Sequence, residues 1–404
     1  MPRDPGGYRF IASVAAAVFA VAASLEISGL ALLPLHQPLI PKRVCRIAHP
    51  AVARMMPAHF FWLSRAFQPG DARLVDVVAA GDVMMGSRDQ GLNPLVRDGA
   101  DISTLLGSAL VGIFRRADVA FVNLEGPLYD GEESSSKDCS HCYAFRSPTA
   151  YAKLLAQLGV RAVSLANNHS GDYGETGRAS TMAALRASHI GFFGLDRDDA
   201  RTAEIPLANG GSAAILSFAP NSGTLDINDL DAEARIVTAL KRTHTVVIVS
   251  FHGGGEGENY EHVTAGHAFF DGEDRGDVMA FAHNAVDAGA DVVIGQGPHV
   301  PRALELYRGH LIAYSLGNFW TYGAIDTSAQ RGAGPVIEAW LAPDGTVAGF
   351  AIHSTEQRDT GLPALDPSDD ASRRILALTR DDFPATAAVL APAEHGGDRT
   401  ALVD

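Results

Sequence analysis

The sequence predicts an α/β fold in which helices pack outside sheets. Two observations carry that expectation. From Leu74 to about His353, short apolar runs with strand character alternate with helical patterns. Several of those runs close on a short polar segment, which places polar groups where buried strands end. Strand ends that share one edge of a sheet can converge on one site.

Taken in chain order, the first element is apolar. Ile11 to Leu35 is broken only by Ser, Gly, Pro34 and the single charge Glu26, and that length suits a membrane-spanning helix. A shorter core from Ile11 to Phe19 followed by Ala20-Val21-Ala22 also fits a cleavable signal peptide, and a buried N-terminal helix is the third reading. Apolar character past the cleavage position favours an uncleaved anchor. Arg3 and Arg9 precede it and Lys42, Arg43 and Arg46 follow it, so the positive-inside rule does not orient it. The expected location is the cell membrane, single-pass, with the body outside the cytoplasm, or exported and soluble if the segment is cleaved. Residues 1–36 are thus an anchor and 37–73 a juxtamembrane linker, rich in proline (Pro38, Pro41, Pro50, Pro57, Pro69).

The main domain is expected over 74–360. Its strands are Val75 to Ala80, Val119 to Val122, Ala162 to Ala166, Val246 to Ser250, Val292 to Ile294 and Leu311 to Tyr314. Helical patterns fall at Ile102 to Arg115, Pro148 to Leu158, Gly177 to Ser188, Asp229 to Lys241 and Asp277 to Ala288. Gly334 to Leu341 and Val347 to His353 alternate apolar and polar residues around Pro343-Asp344-Gly345 and read as a hairpin. A helix from Ser368 to Leu378 and a fraying tail complete 361–404.

Of 404 residues, 47% are hydrophobic and 20% charged, enough apolar material for a large buried core. The formal charge of -15 argues against nucleic acid as a partner, because that affinity comes from Lys and Arg displacing phosphate counterions. An anionic ligand would need local capture, by metal or by Arg146, Arg275 or Arg302 near the motif loops. The cysteines are Cys45, Cys139 and Cys142. No second CxxC completes a zinc site, and Cys139-Ser140-His141-Cys142 lies in a polar loop rather than opening a helix after a strand. A small Cys139–Cys142 disulfide in an oxidising compartment is preferred, with free thiols the alternative.

The polar segments carry the chemistry. Asp82 in GDVMMG and Glu125 in NLEGPL each follow a buried strand, with Asn123 on the same face as Glu125. Asp82 alone could be a helix cap; together the two carboxylates repel unless a cation or proton neutralises them. In LANNHSGDYG, Asn168 offers an amide oxygen, His169 a ligand or general acid, and Asp172 an orienting partner for His169. An Asn-rich turn with a surface histidine would explain that segment in isolation. His252 closes an apolar strand before Gly253 to Gly255 and Glu256, which is either a supporting residue or a further ligand. His299 stands in Gly295-Gln296-Gly297-Pro298-His299, and Asn318 in AYSLGNF. Asp, Glu, Asn and His form the ligand list of a hard or borderline divalent cation, not of a thiolate site.

In their order, GDVMMG, NLEGPL, the CYAFRSP run from Cys142, LANNHSGDYG, FHGGGEG, the GEDRGDV run from Gly272, GPHV and LIAYSLGNF resemble the bacterial capsule-synthesis CapA family. That family is linked to poly-γ-glutamate production, and its domain looks like the calcineurin-type metallophosphatases. The resemblance implies an α/β sandwich of two mixed sheets flanked by helices. It implies one or two divalent ions (Mn, Mg, Fe or Zn), with Asp82, Glu125, Asn168, His252 and His299 as ligands and His169 with Asp172 in the acid role. Asn123, Glu256, Gln296, Arg146, Arg275, Arg302 and Asn318 are further candidates for metal or substrate contact. The chain departs from the pattern at Met84, where the wider metallophosphatases have His, and at Gln296, where family members commonly place another His.

The implied role is a metal-dependent hydrolase or transferase in capsule or related surface-polymer synthesis. The alternative is a non-catalytic accessory subunit that binds the polymer or supports a membrane synthase. Expected partners are an anionic polymer such as poly-γ-glutamate or another envelope substrate, the membrane, and membrane synthases.

Overall fold

The computed structural model describes residues 58–86, 101–132, 135, 143–208, 210–321, 327–358 and 361–390. The N-terminal apolar segment, Cys45, Cys139, Cys142 and the last residues from 391 on lie outside the described residues. Among the described residues no helix is long and apolar enough to cross a membrane.

Two mixed sheets face each other across a shared apolar layer. The first runs Ala58–Trp62, Val347–Arg358, Ala333–Leu341, Val75–Val83, Val119–Leu124, Ala162–Ser164 and Gly191–Phe193, with Asn318–Trp320 also paired to Val75–Val83 and Leu362–Leu365 to Val347–Arg358. The second runs Leu304–Tyr307, His310–Ala313, Val292–Gln296, Val246–His252, Ser212–Ala219 and Thr202–Pro206, with Leu225–Asp226 beside Ser212–Ala219. Val77, Ala79, Phe121 and Phe350 of the first sheet pack with Ile215, Ile248 and Ile294 of the second. On the outer face of the first sheet, Leu110, Phe114, Leu155 and Leu185 supply a helical layer, and Val237, Phe281 and Ala285 do so on the second. Alternate strand residues thus feed different cores, which is why these strands read as nearly continuous apolar runs.

The structure redraws several expected boundaries. The helix expected from Ile102 to Arg115 is two, Ile102–Leu106 and Ser108–Arg116, parted at Gly107 with φ 84°. The pattern from Pro148 opens with a 3-10 turn, Thr149–Tyr151, before Ala152–Leu158. The C-terminal helix runs Asp370–Asp382 and is followed by a further helix, Pro384–Leu390. Residues 58–62, assigned to the linker from sequence, form an edge strand in register with Gly349 to His353. Phe61 stacks there on Phe350 with ring centroids 4.9 Å apart, so this strand belongs to the domain core.

What positions the site is an irregularity in the Val75–Val83 strand. Val77 and Ala79 face the layer between the sheets, while Val78 and Ala80 face the helices. Strict alternation would turn Asp82 toward the helices as well. A register shift between Ala79 and Asp82 against Val119–Leu124 inserts one residue, and Asp82 then pairs with Asn123. That bulge swings the carboxylate to the inner side. Gly81 sits under the chain that enters Asn318–Trp320, where an added Cβ would lie 2.0 Å from the Gly317 carbonyl oxygen. Backbone cannot yield there as a side chain can. Gly81→Ala is therefore expected to destabilise the protein by at least about 1–3 kcal/mol, as overpacking does; thermal unfolding checks it, and an unchanged midpoint would contradict it.

Candidate metal centre

The C-terminal ends of facing strands bring Asp82, Glu125, His252 and His299 into one buried cluster. Asp82, Glu125 and His299 each offer a ligand atom, and these atoms lie within 4.8 Å of one another. Both carboxylates are 0% exposed. His299 spans them, with Nδ1 3.1 Å from Asp82 Oδ2 and Nε2 3.6 Å from Glu125 Oε1. His252 lies alongside, its Nε2 3.8 Å from Glu125 Oε1 and its Nδ1 4.0 Å from Asp82 Oδ1.

Amide side chains fix which nitrogen faces the hollow. Asn318 donates to the carbonyls of His299 and Arg331, which turns its Oδ1 to His299 Nδ1 at 2.9 Å. His299 Nδ1 therefore carries the proton, and Nε2 is the ligating atom. His252 is held in the opposite sense. Asn123 accepts from Asn167 Nδ2 and turns its own Nδ2 to Asp82 Oδ1 at 2.8 Å and His252 Nδ1 at 3.2 Å. The His252 proton then sits on Nε2, toward Glu125, and must leave before that atom can bind a cation. These tautomers follow from the hydrogen-bond network.

Strain and close packing gather at His299. Its φ of 58° is left-handed, a conformation that costs a non-glycine residue on the order of 1–3 kcal/mol. Gly297, with φ 107°, lies against the His252 ring, where a Cβ would stand 3.1 Å from Cδ2. Burial raises Glu125 to about 8, and the Asp82 and Glu256 charges add to that against the pull of His299. Burial opposes a charge on His299, yet Glu125 and Asp82 outweigh it and raise the imidazole to about 10. His252 goes the other way, lowered by burial and then by the Arg275 charge.

A cation fits this donor set. Asp82 Oδ2, both Glu125 oxygens, Asn168 Oδ1, His252 Nε2 and Gln296 Oε1 are buried without a hydrogen-bond partner among the described residues. Unpartnered buried carboxylate oxygens are costly, and a divalent ion is the group that satisfies several at once. Gln296 Nε2 donates to the Ala80 carbonyl at 3.1 Å, leaving its oxygen as the unpaired end. Met84 is 1% exposed and occupies no ligand role.

His169 and Asp172, the residues expected in the acid role, lie in contact. His169 Nδ1 lies 2.8 Å from Asp172 Oδ2, which also accepts from the Phe145 amide at 2.7 Å. The Phe145 ring packs on His169 with centroids 4.3 Å apart. Asn167 joins this loop to the cluster, accepting from the amides of His169 and Ser170 while donating to Asn123 and the Leu124 carbonyl. Sequence reasoning gave Asn167 and Phe145 no role; the doubled asparagine was the available signal.

Two candidate arginines are engaged by loop carbonyls. Arg146 donates to the Gly131 carbonyl and lies over the Tyr173 ring, held by its own loop. Arg302, 3% exposed, donates to the Gly255 carbonyl at 3.0 Å and so closes the glycine loop. Arg275 and Glu256 do approach the cluster, paired at 3.1 Å, with Glu256 Oε2 4.0 Å from His299 Nε2.

Residues 76–322 match the family described as Bacterial capsule synthesis protein PGA_cap. The chain is 29% identical over 290 residues to the PGA biosynthesis protein CapA of Bacillus subtilis, covering 68% of this chain and 71% of that one. It is 34% identical over 265 residues to a probable polyglutamine synthesis accessory protein of Mycobacterium tuberculosis, covering 59% of this chain and 64% of that one, just under two thirds of its length. Among solved structures it is similar to a 5'-nucleotidase precursor from Thermus thermophilus, with TM-score 0.39, 11% identity, and 76% of this chain and 59% of that one covered.

The shifted groups set a pH dependence. A proton on Glu125 below about 8, or on both nitrogens of His299 below about 10, competes with a cation. Divalent-metal affinity is expected to rise with pH through this range, with protons released on binding. For the metal-free chain the sign is reversed: both folded values lie above the ordinary ones, so the stability they contribute is present at low pH and lost as pH rises through about 8 and then about 10. Calorimetric titration with Mn²⁺ in buffers of different ionisation heat measures the affinity; pH-independent binding without proton release would contradict the assignment.

Proposed function

The chain belongs to the bacterial capsule synthesis family PGA_cap, and on that premise we propose that it is a divalent-metal-dependent hydrolase or transferase acting in the synthesis of poly-γ-glutamate or a related anionic surface polymer. The observation that carries this reading is the joint burial of Asp82, Glu125 and His299 around unpaired oxygens. Carboxylate, amide and imidazole donors suit Mn, Mg, Fe or Zn. An ion held there would polarise a carbonyl or phosphoryl oxygen and acidify water. Asn168 and Gln296 extend the donor set with amide oxygens, and His252 does so once its Nε2 proton has left.

His169 moves the proton. Asp172, accepting at Nδ1, holds the ring so that Nε2 is the atom that exchanges it. Packing against Phe145 fixes the ring plane. The apolar run from Ile11 to Leu35 supports a membrane-anchored protein, and a surface polymer as product favours a catalytic body outside the cytoplasm, beside the membrane enzymes that extend it.

A second reading, an accessory subunit that grips the polymer without turnover, is favoured by Met84 and by Gln296, whose amide is committed to Ala80. The full-length chain, loaded with metal and offered a γ-glutamyl oligomer or a simple phosphodiester, separates the two. On the catalytic reading His169→Ala keeps its metal and loses about 10²- to 10⁴-fold in turnover. Turnover equal to wild type would remove His169 from the mechanism, and metal-loaded wild type that turns over neither compound supports the accessory role.

A further inference from the structure

Arg275 is a buried cation flanked by two carboxylates, yet two of its three guanidinium nitrogens make no hydrogen bond among the described residues. Its side chain is 2% exposed, and its Nη2 lies 3.1 Å from Glu256 Oε1 while Nη1 is 3.7 Å from Glu273 Oε2. Neither Nε nor Nη2 has a partner in hydrogen-bond geometry among the described residues. The residue is firmly placed. Its amide donates to the Ala268 carbonyl at 2.7 Å, and its carbonyl accepts from Gly254 at 2.8 Å, fixing it behind the loop that follows His252.

Glu256 stands between this guanidinium and the cluster. Oε1 faces Arg275, Oε2 is 4.0 Å from His299 Nε2, and His299 Nε2 is 3.6 Å from Glu125. The Glu256 side chain is 21% exposed, so it has room to turn aside where Arg275 does not. Arg302, the neighbouring buried arginine, leaves its Nε without a hydrogen bond among the described residues but is tied by Nη2 to the Gly255 carbonyl. In a chain of net charge -15, an anion gains nothing from the distant field and must be captured by a local cation.

We propose that Arg275 binds a carboxylate of the ligand beside the metal cluster, and that Glu256 holds that carboxylate's place until the ligand arrives. The planar fork of a guanidinium matches two carboxylate oxygens, and a desolvated fork with unmade hydrogen bonds gains most from such a partner. The inference rests on the reading above only in taking the ligand to be an anionic chain.

Calorimetry on the full-length, metal-loaded chain tests it, with metal content measured for every variant. The probes are tetra-γ-glutamate, its counterpart with side carboxylates amidated, and inorganic phosphate. Arg275→Gln is expected to keep its metal and weaken tetra-γ-glutamate binding by at least about tenfold, as loss of a charged hydrogen-bonding partner does. Arg275→Lys should recover part of that loss. Glu256→Gln should tighten binding, because the internal competitor is gone; if Arg275→Gln fails to fold, this variant decides alone. Binding by Arg275→Gln equal to wild type overturns the proposal, as does weaker binding by Glu256→Gln, the outcome for a purely structural ion pair. Equal affinity for the amidated oligomer, or binding of phosphate alone, overturns the carboxylate assignment. Arg275-dependent peptide binding by a chain that takes up no metal would instead defeat the metal reading and leave this inference standing.

Discussion

Asp82 and Glu125 are buried with ligand atoms within 4.8 Å of each other, and were both ionised they would repel by about 3 kcal/mol even at an effective dielectric near 20. Burial, together with this repulsion, raises Glu125 to about 8. The surrounding structure answers that repulsion. Asn123 satisfies one Asp82 oxygen, and His299 reaches both carboxylates. What remains are oxygens with no hydrogen-bond partner among the described residues, and a cation supplies what the side chains do not.

Backbone irregularities gather where that constraint acts. The bulge between Ala79 and Asp82 turns the carboxylate inward, the left-handed His299 aims its imidazole, and Gly297 lets the loop close on His252. Each departs from regular geometry in a strand or turn that is otherwise well packed. Local cost sustained by a large core is the usual signature of a functional centre. The amide network of Asn123, Asn167 and Asn318 then gives the two histidines different tautomers, so they are not equivalent ligands despite similar places at strand ends.

Much of this was legible because fully buried strands are apolar on both faces and a polar residue at their end stands out. Asp82, Glu125, His252 and His299 stand out that way, and they converge because parallel strands of two facing sheets end on the same side of the shared layer. Less was legible where the determinant is tertiary. The Ala58–Trp62 strand hides in a proline-rich stretch because its pairing partner lies almost three hundred residues along the chain. Arg146 and Arg302 sit near the motifs in sequence but are claimed by the Gly131 and Gly255 carbonyls, a choice that spacing does not encode. A second polar cluster was also invisible: the partly exposed Arg116 grips the buried Glu338, which meets His353 at 2.7 Å. Those residues come from a helix end and two strands, with no motif to join them. The bulge at Asp82 escaped the period-two pattern because a one-residue insertion is defined only by its partner strand.

One cation shared by residues far apart in sequence is what this arrangement of side chains requires. Crystals of the full-length chain soaked in Mn²⁺ and measured for anomalous scattering give the most direct answer. A peak at coordination distance from Asp82, Glu125 and His299 Nε2 is the expected result. Ordered side chains with no peak among them, or a peak on surface carboxylates alone, would contradict it.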